Sequence, residues 1–311
     1  KAKYHLVGFA LLYDKILAPL KKESNNYQLL TQAPVSRAII KMALPSIVIM
    51  LITGFYNIAD TFFVGKLSTQ ATAAVGVVFS VMFFVQAMGF FFGHGSGNYI
   101  SRELGAQRHN NAQRMASTGF FLSFTLGLVV LLIGEACITP LSLWLGSTPT
   151  ILPHTKQYLG ISLLGTPFFT SSLTMNNQMR FQGNARLALW GILSGAIVNV
   201  LLDPLFIFVF DMGVAGAALA TVIGQFISFL ILLRMTYLGG NIRYSWRNFT
   251  PQVTLFKEII AGGTPSLSRQ GLACIAMILL NTAASAYGDV AIAAMSIVSR
   301  CTMTVSYTHL T

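Results

Sequence analysis

The sequence predicts an all-α membrane protein, a six-helix bundle lobe followed by the first helices of a second, repeated lobe. Three observations predict it. Hydrophobic residues make up 54% of the 311-residue chain and charged residues only 9%, against roughly 25% charged in ordinary soluble domains. The apolar residues gather into continuous stretches of about 20, the length a helix needs to cross about 30 Å of hydrocarbon. Finally, Arg37-Ala-Ile-Ile-Lys-Met-Ala-Leu-Pro-Ser46 returns as Lys257-Glu-Ile-Ile-Ala-Gly-Gly-Thr-Pro-Ser266.

Complete candidate spans lie near 42–65, 71–93, 117–139, 157–179, 187–210, 213–235 and 259–283, and a further one begins near Val290. They are continuously apolar rather than alternating, which disfavours membrane strands. Lys and Arg collect in the N-terminal segment and in the second, fourth and sixth connections, including Arg102, Arg108, Arg114, Arg180, Arg186, Arg234, Arg243, Arg247 and Lys257. The positive-inside rule then places the N-terminus in the cytoplasm of a cell whose inner membrane holds the protein. The repeat resumes after an even number of helices, so the copies are parallel. The expected organisation is a cytoplasmic N-terminal segment (1–36), a first six-helix lobe (37–238), a cytoplasmic linker (239–256) and the start of a second lobe (257–311). The missing initial Met, the Ser-Tyr-Thr-His-Leu-Thr ending and a second copy that stops early read as a fragment of a transporter. No cleavable signal peptide is expected.

A net charge of +11 would suggest nucleic acid in a soluble protein, but here the basic residues fall between apolar segments rather than along one face, so no nucleic-acid partner is expected. Cys137, Cys274 and Cys301 have no CxxC spacing, and the five His residues form no HxxxH or HExxH pair. Metal and nucleophilic catalysis lack a constellation, so no enzyme and no cofactor are expected.

Acids inside an apolar span are the strongest functional signal, because each costs about 2.5–3.5 kcal/mol to insert. Asp60 in the first span and Asp203 in the fifth qualify. At the helical rise they lie about 9 and about 12 Å below the outer end. Tyr56 and Asn57 share a helix face with Asp60, and Asn199 shares one with Asp203. Thr221 in the sixth span reaches about 13 Å depth. No Lys or Arg lies near that level in these helices, so the pair is expected to exchange a proton, or to hold a sodium ion among its oxygens. The alternative is a hydrogen-bonding anchor between helices. Pro45 and Pro204 lack an N–H and would let both helices bend as hinges, or simply hold a static kink. Gly89, Gly93 and Gly97 make one smooth face for close packing. Met88, Phe168, Met175 and Met179 would line an adaptable cavity or pack in the core.

Pro45-Ser46, Tyr56-Asn57-Ile58-Ala59-Asp60-Thr61-Phe62-Phe63-Val64-Gly65-Lys66-Leu67, Arg102-Glu103-Leu104-Gly105-Ala106, Arg180-Phe181-Gln182-Gly183-Asn184, Asn199-Val200-Leu201-Leu202-Asp203-Pro204 and Gly213-Val214-Ala215-Gly216-Ala217-Ala218 together resemble the multidrug and toxic compound extrusion (MATE) family. The resemblance runs from Val35 to about Val298. It implies a twelve-helix protein with two lobes around a V-shaped cleft, monomeric when full length, that exports small amphiphilic cations in exchange for protons or sodium ions. By motif position Asp60 would be the family's helix-1 acid, with Tyr56 and Pro45 as partners. Asn199, Asp203 and Thr221 would complete the first-lobe cation site, and Asn176 and Asn177 are both candidates to join it. Two other readings remain. One is a flippase of lipid-linked oligosaccharides, whose phosphates would need Arg269 and Arg300. The other is a membrane receptor or assembly subunit without a transport cycle. Asp60 falls on Leu280 in the repeat, so the ionisable site is expected to belong to the first copy alone.

Overall fold

The computed structural model describes residues 34–237 and 241–309, so nearly all of the expected N-terminal segment and the start of the linker lie outside the described residues. In chain order the helices are α1 (Val35–Gly65), α2 (Thr69–Gly105), α3 (His109–Ala136), the short α4 (Ile138–Trp144), α5 (Leu152–Leu164), α6 (Thr166–Phe181), α7 (Ala185–Pro204), α8 (Gly213–Thr236), α9 (Val253–Ser285) and α10 (Asp289–His309). A π turn, Leu205–Val209, extends α7, and a 3-10 turn, Trp246–Asn248, interrupts the linker. Among the described residues six segments, within α1, α2, α3, α7 with its π turn, α8 and α9, are long and apolar enough to cross a membrane.

The span expected at 157–179 is instead divided between α5 and α6 at Gly165. The cause is Pro167, which has no N–H to offer the carbonyl of Leu163 four residues earlier. The Thr166 hydroxyl takes over, donating to Leu163 O at 2.8 Å while also reaching Gly127 O of α3 at 2.9 Å. The break is thus hydrogen-bonded within the bundle, which membrane helices require of any interrupted turn. Hydropathy alone read across it because the apolar run does not stop.

α2 is the axis of the assembly, packed against α3, α5, α6, α9 and α10. A Cβ on Gly89, Gly93 or Gly97 would meet Leu173, Asn177 or Phe181 of α6, at 2.8, 2.8 and 2.1 Å. The smooth face expected from their four-residue spacing is therefore the α2–α6 contact. Gly95 points the other way, where a Cβ would come within 2.3 Å of the Ile259 carbonyl of α9. The Gly-His-Gly-Ser-Gly run lies inside the helix and lets α2 touch both lobes at one level.

Met175 and Met179 are fully buried in a cluster with Met115, Phe120, Leu232 and Ile259, so they pack rather than line a cavity. Phe168 meets the rings of Phe226 and Phe229 with centroids 4.9 and 5.4 Å away. The linker beyond residue 240 is strapped to the first lobe at the end where α6 terminates. Ile242 N donates to Gln182 Oε1 at 2.9 Å and Tyr244 Oη to Gln178 Oε1 at 2.7 Å, while Asn184 bonds Asn241. Gln182 and Asn184 of the Arg180–Asn184 motif thus hold the chain that leads into the second lobe.

Candidate cation site

α7 and α8 bring three of the sequence-identified residues together. Asn199 and Asp203 lie one turn apart on α7, and both are buried. Asn199 Nδ2 donates to Asp203 Oδ1 at 3.4 Å and to Thr221 Oγ1 of α8 at 3.3 Å. The close approach is made possible by Gly195 and Gly224, which face one another across the helix pair. Thr221 Oγ1 also donates to Ala217 O at 3.0 Å. Tyr158 of α5 closes the group: its hydroxyl is in polar contact with Thr221 and within electrostatic reach of both Asp60 and Asp203. Sequence reading missed Tyr158, because a lone tyrosine in an apolar span carries no periodic signal.

Asp60 reaches this group from α1, close enough for its charge to act on Asp203. Its own partner comes from elsewhere. Arg300 of α10 donates Nη1 to Asp60 Oδ2 at 3.0 Å and also bonds the Thr61 hydroxyl. Its guanidinium sits 4.9 Å from the centre of the Phe79 ring. Both members of the ion pair are buried, with side-chain exposures of 4% and 9%. This corrects the expectation that the ionisable site belongs to the first copy alone: the cation that the acids' own helices lack is supplied from α10. Arg300 was singled out only as a phosphate ligand of a flippase, and here it is committed to Asp60.

Three buried oxygens of the cluster have no hydrogen-bond donor: Asp60 Oδ1, Asp203 Oδ2 and Asn199 Oδ1. Buried polar atoms are rarely left so, and oxygen ligands of this kind are what a proton or a hard cation seeks. The donor set fits either.

Of the remaining expected residues, Tyr56 and Asn57 lie in α1, but their side chains are outside the described residues. Asn176 Nδ2 donates to Ala188 O of α7 and Asn177 Nδ2 to Leu173 O, each at 2.8 Å. The first ties α6 to α7, the second stays within α6, and neither goes to the carboxylates. Pro45 is buried inside α1. Pro204 is the last residue of α7, and the chain continues as a π turn in which Phe210 N reaches Leu205 O at 3.0 Å.

Comparison with known proteins agrees with this architecture. Multidrug export protein MepA of Staphylococcus aureus (strain MRSA252) is 28% identical over 272 residues, 86% of this chain and 59% of that protein. MepA of Staphylococcus haemolyticus (strain JCSC1435) is 27% identical over 268 residues. A solved MATE in complex with MaD3S superposes with a TM-score of 0.77 at 25% identity, over 92% of this chain and 68% of that one. The inward-facing conformation of a multidrug resistance MATE family transporter of the MOP superfamily gives 0.74 at 27% identity, over 83% of this chain and 60% of that one. The chain spans 59% of the length of these curated relatives. The MatE family model matches residues 45–205, more than half of the 311 residues and the stretch that carries both Asp60 and Asp203, and the chain belongs to the MatE family.

Proposed function

We propose that the chain is the first lobe and the start of the second lobe of a secondary active multidrug efflux transporter. It would exchange amphiphilic cations for protons or sodium ions by alternating access, as a monomer in the cell inner membrane with a cytoplasmic N-terminus. The observation that carries this reading is the buried pair Asp60–Arg300, joining α1 of one lobe to α10 of the other beside Asp203. With all three groups ionised the cluster has one net negative charge. Arrival of one proton or one sodium ion cancels it, weakens the hold of Asp60 on Arg300, and thereby biases the contact between lobes. Conversely, the lobes' position alters how strongly the carboxylates hold a cation, since the coupling is reciprocal. Pro45 and Pro204 sit in or beside the two acid-bearing helices, where a change of contact can be taken up as a change of helix shape.

In proteoliposomes carrying the full reading frame, an imposed proton or sodium gradient should drive efflux of a fluorescent cation. Asp60→Asn and Asp203→Asn should each abolish it, and retained efflux in both overturns the reading. A flippase of lipid-linked oligosaccharides would instead transport a lipid pyrophosphate. A receptor or assembly subunit would show no ion-dependent conformational change.

A further inference from the structure

Opposite charge gathers toward the other end of the same interface. His94 lies in α2, Arg180 in the last turn of α6, and Ser266 and Arg269 in α9. Two contacts of the His94 ring gather them: Ser266 touches the ring and Arg269 follows it by one turn of α9, while Phe181 meets the ring and Arg180 precedes it in α6. The His94 ring stacks on Phe90 at 5.3 Å and meets the Phe181 ring edge-on at 5.9 Å. Its Nδ1 is 2.9 Å from Ser266 Oγ. Arg180 and Arg269 both lie close enough for their charges to act on the ring, and no carboxylate among the described residues does so. Glu258, the acid on α9, is already engaged with Arg102 nearer the cytoplasmic end.

Arg180 is half-buried, and among the described residues neither Arg180 nor Arg269 has a hydrogen-bond or ion-pair partner. Arg269 is exposed, so the cost of withdrawing an unmatched cation from water falls on Arg180; an anion beside Arg180 removes that cost, and Arg269 adds a second donor from the solvent side. The carbonyls ending α6 offer Arg180 only about half an elementary charge. Forked guanidinium donors with a hydroxyl and a ring N–H suit the several oxygens of a phosphate group.

We propose that His94, Arg180, Ser266 and Arg269 bind a phosphate-type oxyanion between α2, α6 and α9. The group is either the headgroup phosphate of an anionic phospholipid in the inner leaflet or a soluble phosphate. The site is independent of the carboxylate cluster and of the transport reading.

The test uses the full reading frame in nanodiscs of phosphatidylcholine, titrated separately with phosphatidylglycerol and inorganic phosphate, with lipid retention read by native mass spectrometry and phosphate binding by calorimetry. Wild type should bind at least one probe, and Arg180→Gln/Arg269→Gln should weaken it at least tenfold, while Arg180→Lys/Arg269→Lys keeps most of it. Binding of phosphatidylglycerol alone identifies the headgroup as the ligand, and binding of inorganic phosphate identifies the soluble anion. If the glutamine variant does not fold, Ser266→Ala should weaken binding about threefold, and the lysine variant still reports the need for charge. Wild type that binds neither probe, or variants that bind like wild type, overturn the proposal.

Discussion

Asp60 and Asp203 are the same residue at similar depth, yet the protein neutralises them by opposite means. Asp203 is held within its own lobe by a neutral donor, the Asn199 amide, which also ties α7 to Thr221 of α8. Asp60 is held from the other lobe by a full positive charge, Arg300 of α10. A neutral donor solvates a carboxylate whether or not the lobes move. A charge carried on another lobe solvates it only in some arrangements. Under the proposed transport cycle, the difference would make Asp203 a resident binding group and Asp60 a sensor of lobe position.

The largest expected effect follows from the charged pair. Arg300→Ala leaves Asp60 buried without its counter-charge and should cost about 3–5 kcal/mol, read as a large drop in melting temperature of the purified protein. Asp60→Asn/Arg300→Ala should recover most of the loss, because the residual acid is then neutral. If the double variant is no more stable than Arg300→Ala, the ion pair is not what Arg300 supplies. The same neutralisation on the other acid should do little. Asp203→Asn keeps the shape and the acceptor that Asn199 uses, so its stability should stay within about 1 kcal/mol of wild type even as efflux is lost.

An intermediate effect is expected at the neutral donor. Asn199→Ala removes the amide that serves both Asp203 and Thr221, leaving buried acceptors unpaired at a cost of about 1–3 kcal/mol. Asn199→Asp would place two carboxylates one turn apart and should destabilise more at neutral pH than in mild acid. A variant of equal stability at both pH values would show the site to be wet.

How much of this was legible in the sequence depends on distance along the chain. The spans could be read because hydrophobic runs are local, and the two acids because a charge among Leu, Ile and Phe stands out without any structural context. Asn199 and Asp203 lie at i, i+4, so their pairing follows from helical geometry. The partner of Asp60 is 240 residues away, in a helix whose packing against α1 no periodicity encodes, and Arg300 taken by itself reads equally well as a phosphate ligand. Tyr158 was hidden for the same reason. The break at Gly165-Thr166-Pro167 was written locally, but hydropathy outweighed the proline because the segment stays apolar on both sides. At Pro204 the proline was legible but the π turn that follows it was not, because an apolar run does not distinguish a widened turn from an α-helical one.

The smallest effect provides a reference outside the membrane-spanning segments, at a neutral contact that joins the linker to the first lobe. Tyr244 is buried, donates to Gln178 Oε1 at 2.7 Å, and has its phenol pushed above the usual tyrosine range by that burial. Tyr244→Phe should cost about 1 kcal/mol at neutral pH through the lost hydrogen bond. The sign of the pH dependence follows from linkage. A phenol whose folded value is raised contributes its stability fully below the unfolded value of about 10, and that contribution is lost as pH rises through the folded one. Wild type should therefore begin to lose stability with rising pH above about 10 through Tyr244, whereas Tyr244→Phe has no such component, so the gap between their melting temperatures should narrow. A gap that stays constant to pH about 10.5 would mean that Tyr244 ionises as freely in the folded protein as in the unfolded one, and that the linker is not seated on the first lobe as strongly as the Asn199 contact seats α7 on α8.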